Sequence, residues 1–481
     1  MNDGRAQTQE WYAAKFAQFE KGLNGGTSTA LHGLRRASMA KFAATGFPTT
    51  SHEEWRFTNL APLARTEFIP ALAGDDAGVT HADLEGSLLG EGAAAEVVFV
   101  DGQWSPNLSA LPSLPPGIRV VSLAQALRQK PDEVMAYLSR HVISDGTLPA
   151  ALNTAFLHDG AFVLLEDGTA LDRPIHLLFV ASARPVPFMT APRIVIVAGK
   201  DARVTIVESY VSLANNVYWT NAVTDVFAGA GAVVEHDTLQ IESPSAFHTG
   251  ATHFQLGKGS VVASNAIVLG GLLVRNTVSA VFEGEDGECT LNGLAVASGA
   301  QLVDNHTIID HAKPKCTSHE LYKSILDGKA RGVFNGKIFV RQDAQKTDAK
   351  QTNRTLLLSD EATIDTKPQL EIFADDVKCT HGAAVGRLND EQVFYLRSRG
   401  LDEAAARDLL TFAFAGDIIR RIHVAPLRDR MTTLFRTRLQ QGRVASEDLC
   451  IPYPHNPIRT SKTDSSPSGD AGTIFRFSAR E

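Results

Sequence analysis

Six short stretches decide the architecture: Gly199-Lys-Asp-Ala-Arg-Val204, Gly229-Ala-Gly-Ala-Val-Val234, Gly257-Lys-Gly-Ser-Val-Val262, Gly299-Ala-Gln-Leu-Val303, Gly328-Lys-Ala-Arg-Gly-Val333 and Asp360-Glu-Ala-Thr-Ile364. Each is a Gly or Asp turn, then a small residue, then β-formers. With Ala202, Ala232, Ser260, Ala300, Ala330 and Ala362 as markers, the steps are 30, 28, 40, 30 and 32. The long step leaves room for one more copy at Glu288. Strand-and-turn units recurring near 30 residues point to a β-solenoid, in which each coil covers the apolar face of its neighbour. An antiparallel sandwich also consists of short strands and turns, but its turn signals come every 8–12 residues and need not recur near 30.

Outward from this region the texture changes. Before about residue 155 the chain mixes helical and strand signals, as in an α/β cap. Tyr12, Phe16 and Phe19 share a helical face, and Leu31, Leu34 and Phe42 follow at helical spacing. Ser51 and Glu54 have capping-box spacing, which predicts a short helix carrying Trp55 and Phe57. Glu96–Val100 reads as a strand ending at Asp101-Gly102, and Leu123–Leu138 as helix. Beyond the solenoid, Asn389 or Asp390 caps a first helix that ends at Gly400. A second helix follows Asp402, and Pro426 opens a third. The predicted division is a cap over 1–155, a β-helix over 156–385, a helical domain over 386–455 and a mobile polar tail over 456–481.

Composition sets the outer limits. The 481 residues are 44% hydrophobic and 21% charged, values of a globular chain. A net charge of −8 without a basic block argues against nucleic acid as a partner. Residues 390–443, with ten Arg against seven Asp and Glu, are a local exception. Cys289, Cys316, Cys379 and Cys450 are too few and too scattered for a disulfide framework. The N-terminus has no apolar signal segment, and the apolar run Ala266–Val274 is far shorter than a membrane span. These features predict a cytoplasmic protein with no membrane association.

Motifs for chemistry are sparse. There is no G-x-x-x-x-G-K-[ST] loop to cradle phosphates, so this chain is expected to bind no nucleotide. His306, His311, Cys316, His319 and Glu320 are metal-ligand types, but their spacing matches no common zinc module. Five apart on a strand, His306 and His311 would face opposite sides, which favours structural histidines. Asp343, Asp348, Asp375 and Asp376 include acid/base candidates of the kind glycosidases pair, although a solvated edge accounts for them better. Cys379 and His381, two apart on a strand, share one face with Cα atoms ~6.6 Å apart. A thiolate and an imidazole suit iron, but two ligands leave a four-coordinate site incomplete without a partner. The alternative at that point is a buried Cys beside a surface His.

Several longer stretches resemble the SufB/SufD family of iron-sulfur cluster assembly scaffolds. They are Asp304-Asn-His-Thr-Ile-Ile-Asp-His311, Ser318-His-Glu-Leu-Tyr-Lys323, Gly332-Val-Phe-Asn-Gly-Lys-Ile338, Asp343-Ala-Gln-Lys-Thr-Asp-Ala349, Thr366-Lys-Pro-Gln-Leu-Glu-Ile372, Ala374-Asp-Asp-Val-Lys-Cys-Thr-His-Gly382 and Phe394-Tyr-Leu-Arg-Ser-Arg-Gly400. Near the N-terminus, Gly46-Phe-Pro-Thr-Thr-Ser-His-Glu-Glu-Trp-Arg-Phe57 belongs with them. The resemblance implies a right-handed parallel β-helix between an N-terminal α/β cap and a C-terminal helical domain. It implies a non-ATPase subunit of a SufBCD complex, pairing with SufB and binding the ATPase SufC through the C-terminal helices. It also implies a transient iron-sulfur cluster shared with SufB, with His381, and Cys379 beside it, at the assembly interface. Gly382, where SufB has Glu, favours the SufD branch. A homodimer is the alternative state of the isolated chain. Rival readings of the solenoid are a polysaccharide lyase or hydrolase and a purely structural adaptor.

Overall fold

The computed structural model describes residues 3–23, 29–72, 77–142 and 148–440; Cys450 and the predicted tail over 456–481 lie outside them. Two parallel sheets form its centre. The first contains Gly160–Leu165, Arg193–Ala198, Tyr218–Ala228, Phe247–Leu256, Leu273–Phe282, Leu302–His311, Arg331–Val340 and Thr363–Ile372 in spatial order. The second contains Ile175–Ala181, Arg203–Ser212, Val233–Ile241, Val261–Val268, Glu288–Ala297, Thr317–Leu326, Asp348–Leu357 and Lys378–Gly386. The chain passes from one sheet to the other and back, so each coil supplies one strand to each and every strand pairs with its counterpart one coil later. Val234, Val262, Cys289, Ser318, Ala349 and Cys379 therefore lie in one file. This is the parallel β-solenoid expected from the recurrence.

The recurrence itself has a different origin from the one its markers imply. Ala202, Ala232 and Ser260 precede strands of the second sheet, whereas Ala330 and Ala362 precede strands of the first. The 40-residue step is a change from one edge of the solenoid to the other. On the first of these edges the series continues through Gly287, Cys316 and Thr347, so Glu288 lies one residue past the true corner. On the other edge the buried corner is Gln301 and not the exposed Ala300. Its amide donates to the Gly271 carbonyl and accepts from the Ser298 N–H, doing with hydrogen bonds what a small residue does by leaving space.

Glycine is required where coils touch backbone to backbone. A Cβ on Gly229 would lie 2.8 Å from the Gly199 carbonyl carbon, and one on Gly257 would lie 2.9 Å from the Ala228 oxygen. Gly328 adopts φ +61°, and its Cβ would lie 3.0 Å from the Gly299 nitrogen. Gly328→Val should therefore cost at least about 2 kcal/mol, from left-handed backbone and overpacking together. Exposed Ala300→Val should stay within about 0.5 kcal/mol. Urea midpoints for the two variants check this, and equal losses would remove the close-packed corner as the reason for glycine.

Helices cover part of each outer face, which is why many of the strands lack simple apolar-polar alternation. Helices Asp3–Gly22 and Ala30–Thr45 bury Tyr12, Phe16 and Phe42 against Trp219, Phe247 and Leu273 of the first sheet. The second of these helices turns His32, Arg35, Met39 and Phe42 inward and leaves Leu31 and Leu34 half-buried. Arg35 is held there by two hydrogen bonds to the Leu157 carbonyl, and His32 by the Glu20 carboxylate. The helix predicted from Ser51 is a single turn, Glu53–Trp55, without a side-chain cap. Contacts to the first sheet hold this segment down in place of a continued helix.

Asn389 and Asp402 accept hydrogen bonds from the first turns of helices Asp390–Ser398 and Glu403–Ile419, and a third helix spans Ala425–Gln440. The last two do not project from the solenoid. Ile418, Ile422, Leu427, Met431 and Phe435 pack on Val207, Leu239, Ile267, Leu294 and Ile325 of the second sheet. Buried Lys323 fixes Glu403–Ile419 by donating to the Phe414 carbonyl and pairing with Asp417. Arg430 reaches the Ser87 and Leu88 carbonyls, tying the last helix to the N-terminal region. Among the described helices none is long and apolar enough to cross a membrane.

Candidate functional site

The two ends of the solenoid differ. At the start, antiparallel strands and helices Leu123–Gln129 and Pro131–Val142 close it, with Leu123, Val134 and Leu138 packed on Phe162 and Val195. At the finish, Thr363–Ile372 and Lys378–Gly386 are the last strands of their sheets, and no described strand follows either. Their residues are mostly half-buried or exposed, unlike equivalent positions one coil earlier. Ile372, Phe373 and Val385 are exposed apolar residues at this end.

Cys379 and His381 lie on that last strand, opposite Ala349 and Gln351. Ala349 and Gln351 are buried inside the solenoid. Cys379 packs with Ile338, Val340 and Ala349, so the face it shares with His381 is the interior one, open at this end. His381 is exposed. Burial, and then the Asp348 carboxylate, push the Cys379 thiol above its ordinary pKa. A thiol of that kind is a poorer ligand until a metal or a cationic partner draws off its proton.

The other ligand-type residues go elsewhere. His306 faces outward and His311 inward, as strand alternation requires. His306 stands 3.1 Å from Asp304 and 3.5 Å from Glu54. Arg275 donates to Asp304 at 2.6 Å and lies 4.0 Å over the Trp55 ring, while Thr58 also donates to Asp304. Burial opposes the charge on Asp304, but Arg275 and His306 outweigh it and hold the carboxyl well below the usual carboxylate range. With Lys367 bonded to Glu53 and Asn335 to Glu54, the segment Glu53–Thr58 straps coils of the first sheet. His311 bonds to Ser318 and packs on Phe282; burial pushes its pKa down to about 4. Cys316 occupies a corner, His319 is exposed and Glu320 is interior, so the five residues do not converge. Among the described residues no group of three or more His, Cys, Asp and Glu is placed to hold a metal ion.

Asp343, Asp375 and Asp376 sit at solenoid corners, and Asp376 pairs with Lys346. Asp348 is next to Lys350 at 3.5 Å. Asp343, Asp375 and Asp376 are exposed and Asp348 is half-buried, and they form no paired acid/base cleft. Sequence reading missed Lys323 as the anchor of the C-terminal helices and Gln351 as the neighbour of His381. A lysine set between Leu321-Tyr322 and Ile325-Leu326 was the available signal for the first; the second depends on coil register.

Comparison with known proteins gives the family. Residues 179–414 match the profile for "SUF system FeS cluster assembly, SufBD core domain", and residues 6–177 match "SufBD protein N-terminal region". The chain belongs to the SufB/SufD family of iron-sulfur cluster assembly proteins. Within it, the chain is a homologue of SufD: it is 32% identical over 406 residues to the iron-sulfur cluster assembly protein SufD of Escherichia coli, covering 84% of this chain and 92% of that one. An iron-sulfur cluster assembly SufBD family protein of Synechocystis sp. is 35% identical over 418 residues, with 85% and 91% covered. Protein ABCI7, chloroplastic, of Arabidopsis thaliana is 30% identical over 417 residues, with 84% and 85% covered.

Proposed function

We propose that this chain is the non-ATPase scaffold subunit of a SufBCD complex, and that a nascent iron-sulfur cluster is built at its open solenoid end against SufB. The observation that carries the reading is the last coil, which no described strand covers and which presents His381 and Cys379 on the face leading into the interior. Unpaired strand edges and exposed Ile372, Phe373 and Val385 favour covering by a second solenoid. SufB fills that role, with a second copy of this chain as the alternative in isolation. Neutral imidazole ligates iron, and the ligands missing from this chain come from the partner. SufC supplies ATP hydrolysis from the C-terminal helices, and the chain itself binds no nucleotide. The working compartment is the cytoplasm.

Co-expression with SufB and SufC, followed by anaerobic reconstitution with iron and sulfide, tests the reading. A stable three-component complex that turns brown is the expected result. A chain that recruits neither partner, or releases reducing ends from polysaccharide, would overturn it. The dispersed aspartates make the second outcome the less favoured.

A further inference from the structure

The interior file ending at His381 carries a second observation. Ile206, His236, Ser264, Leu291, Glu320, Gln351 and His381 are successive rungs of the second sheet, about 4.8 Å apart. Glu320 and Gln351 are 3% and 1% exposed, deep enough that every polar atom needs a partner. Gln351 Nε2 donates to Glu320 Oε2 at 2.5 Å. That bond fixes which end of the amide is the donor and leaves Oε1 as the acceptor. Gln351 Oε1 is buried and takes no hydrogen bond from any described residue. Across the interior, Gly336 makes the space the amide occupies, because a Cβ there would lie 2.3 Å from Gln351 Nε2. Burial pushes the Glu320 pKa up to about 7, and Oε2 accepts from the amide when the carboxyl is ionised or carries its proton on Oε1.

We propose that Gln351, held by Glu320, is a positioning residue for His381: its side-chain carbonyl, which makes no bond to the ring in this structure, accepts the imidazole N–H when the ring turns inward and leaves the opposite ring nitrogen bare toward the open end. This rests on the reading of His381 as an iron ligand, and it supplies what such a ligand needs. A metal-binding imidazole must be neutral, with its proton on the nitrogen away from the metal, and the partner of that proton sets the tautomer. One hydrogen bond of ordinary strength selects a tautomer by about tenfold.

The test is long-range 1H–15N correlation of the histidine rings in the full chain without iron, with His381 assigned by its loss in His381→Gln. The wild type should show one neutral tautomer of His381 in about tenfold excess. Gln351→Leu should collapse that excess to the few-fold ratio of a free imidazole, and Gln351→Glu, which keeps an acceptor, should retain it. Gly336→Ala, which displaces the amide without removing it, should act like Gln351→Leu and serves if the latter does not fold. An unchanged tautomer ratio in folded Gln351→Leu or Gly336→Ala would overturn the proposal. The readout needs neither iron nor partner, so it separates from the cluster role. A set tautomer with a fully functional His381→Ala would sink only the ligand reading, and an unset tautomer with an inactive His381→Ala would sink only the positioning.

Discussion

His381→Ala should lower the yield of iron-sulfur cluster on the reconstituted complex by at least about tenfold while leaving the chain folded and its partners bound. Loss of one first-row metal ligand from a site shared between chains leaves iron with water or nothing in that position, and Ala offers no substitute donor. The fold has little reason to respond. His381 is exposed on the last strand, its neighbours in the file are polar, and its replacement creates no apolar cavity. Iron content, the visible absorption of the reconstituted complex and growth of cells that depend on this assembly pathway are the measurements. Full cluster yield in the variant, or loss that tracks failure to bind SufB, would end the assignment. Cys379→Ser should have a smaller effect, because that thiol is half-buried against Val340 and Ala349 and its deprotonation is opposed by burial and by Asp348.

The second large effect is expected at Phe394 and Tyr395. These aromatics on helix Asp390–Ser398 are 72% and 56% exposed, unlike Ile418, Met431 and Phe435 of the two following helices, which the second sheet buries. Removing residues 390–440 as a block would uncover Val207, Leu239, Ile267 and Leu294 and report on folding as much as on docking. The double substitution Phe394→Ala with Tyr395→Ala avoids that difficulty. Exposed positions cost about 0.5 kcal/mol or less in stability, whereas two aromatic anchors in an interface are worth at least about 2 kcal/mol, or about thirtyfold in affinity. SufC should therefore be lost from pull-downs while SufB is retained. Retention of SufC with loss of SufB would assign the aromatics to the solenoid-end interface, and retention of both would place ATPase docking elsewhere.

Much of this molecule was legible without coordinates, because local chemistry repeats. A Gly or Asp turn followed by a small residue and β-formers makes one half-coil, and its return at intervals near 30 residues points to stacking. Helix ends at Asn389, Asp402 and Pro426 were legible for the same reason, since capping involves only a few neighbouring residues. The shared face of Cys379 and His381 needed only the two-residue period of a strand. What the sequence did not carry was register. The markers at Ser260 and Ala300 look like one series and belong to opposite edges, because an edge is defined by strands some thirty residues away. Ser51 and Glu54 have the spacing of a cap, yet the segment is drawn flat by Asp304, His306 and Lys367, each more than 240 residues distant. The basic C-terminal helices read as a separate helical domain until Lys323 and the apolar outer face of the second sheet are placed beneath them. Gln351 becomes the neighbour of His381 only through pairing across a coil, since contacts between coils, and not those along the chain, decide what each side chain meets.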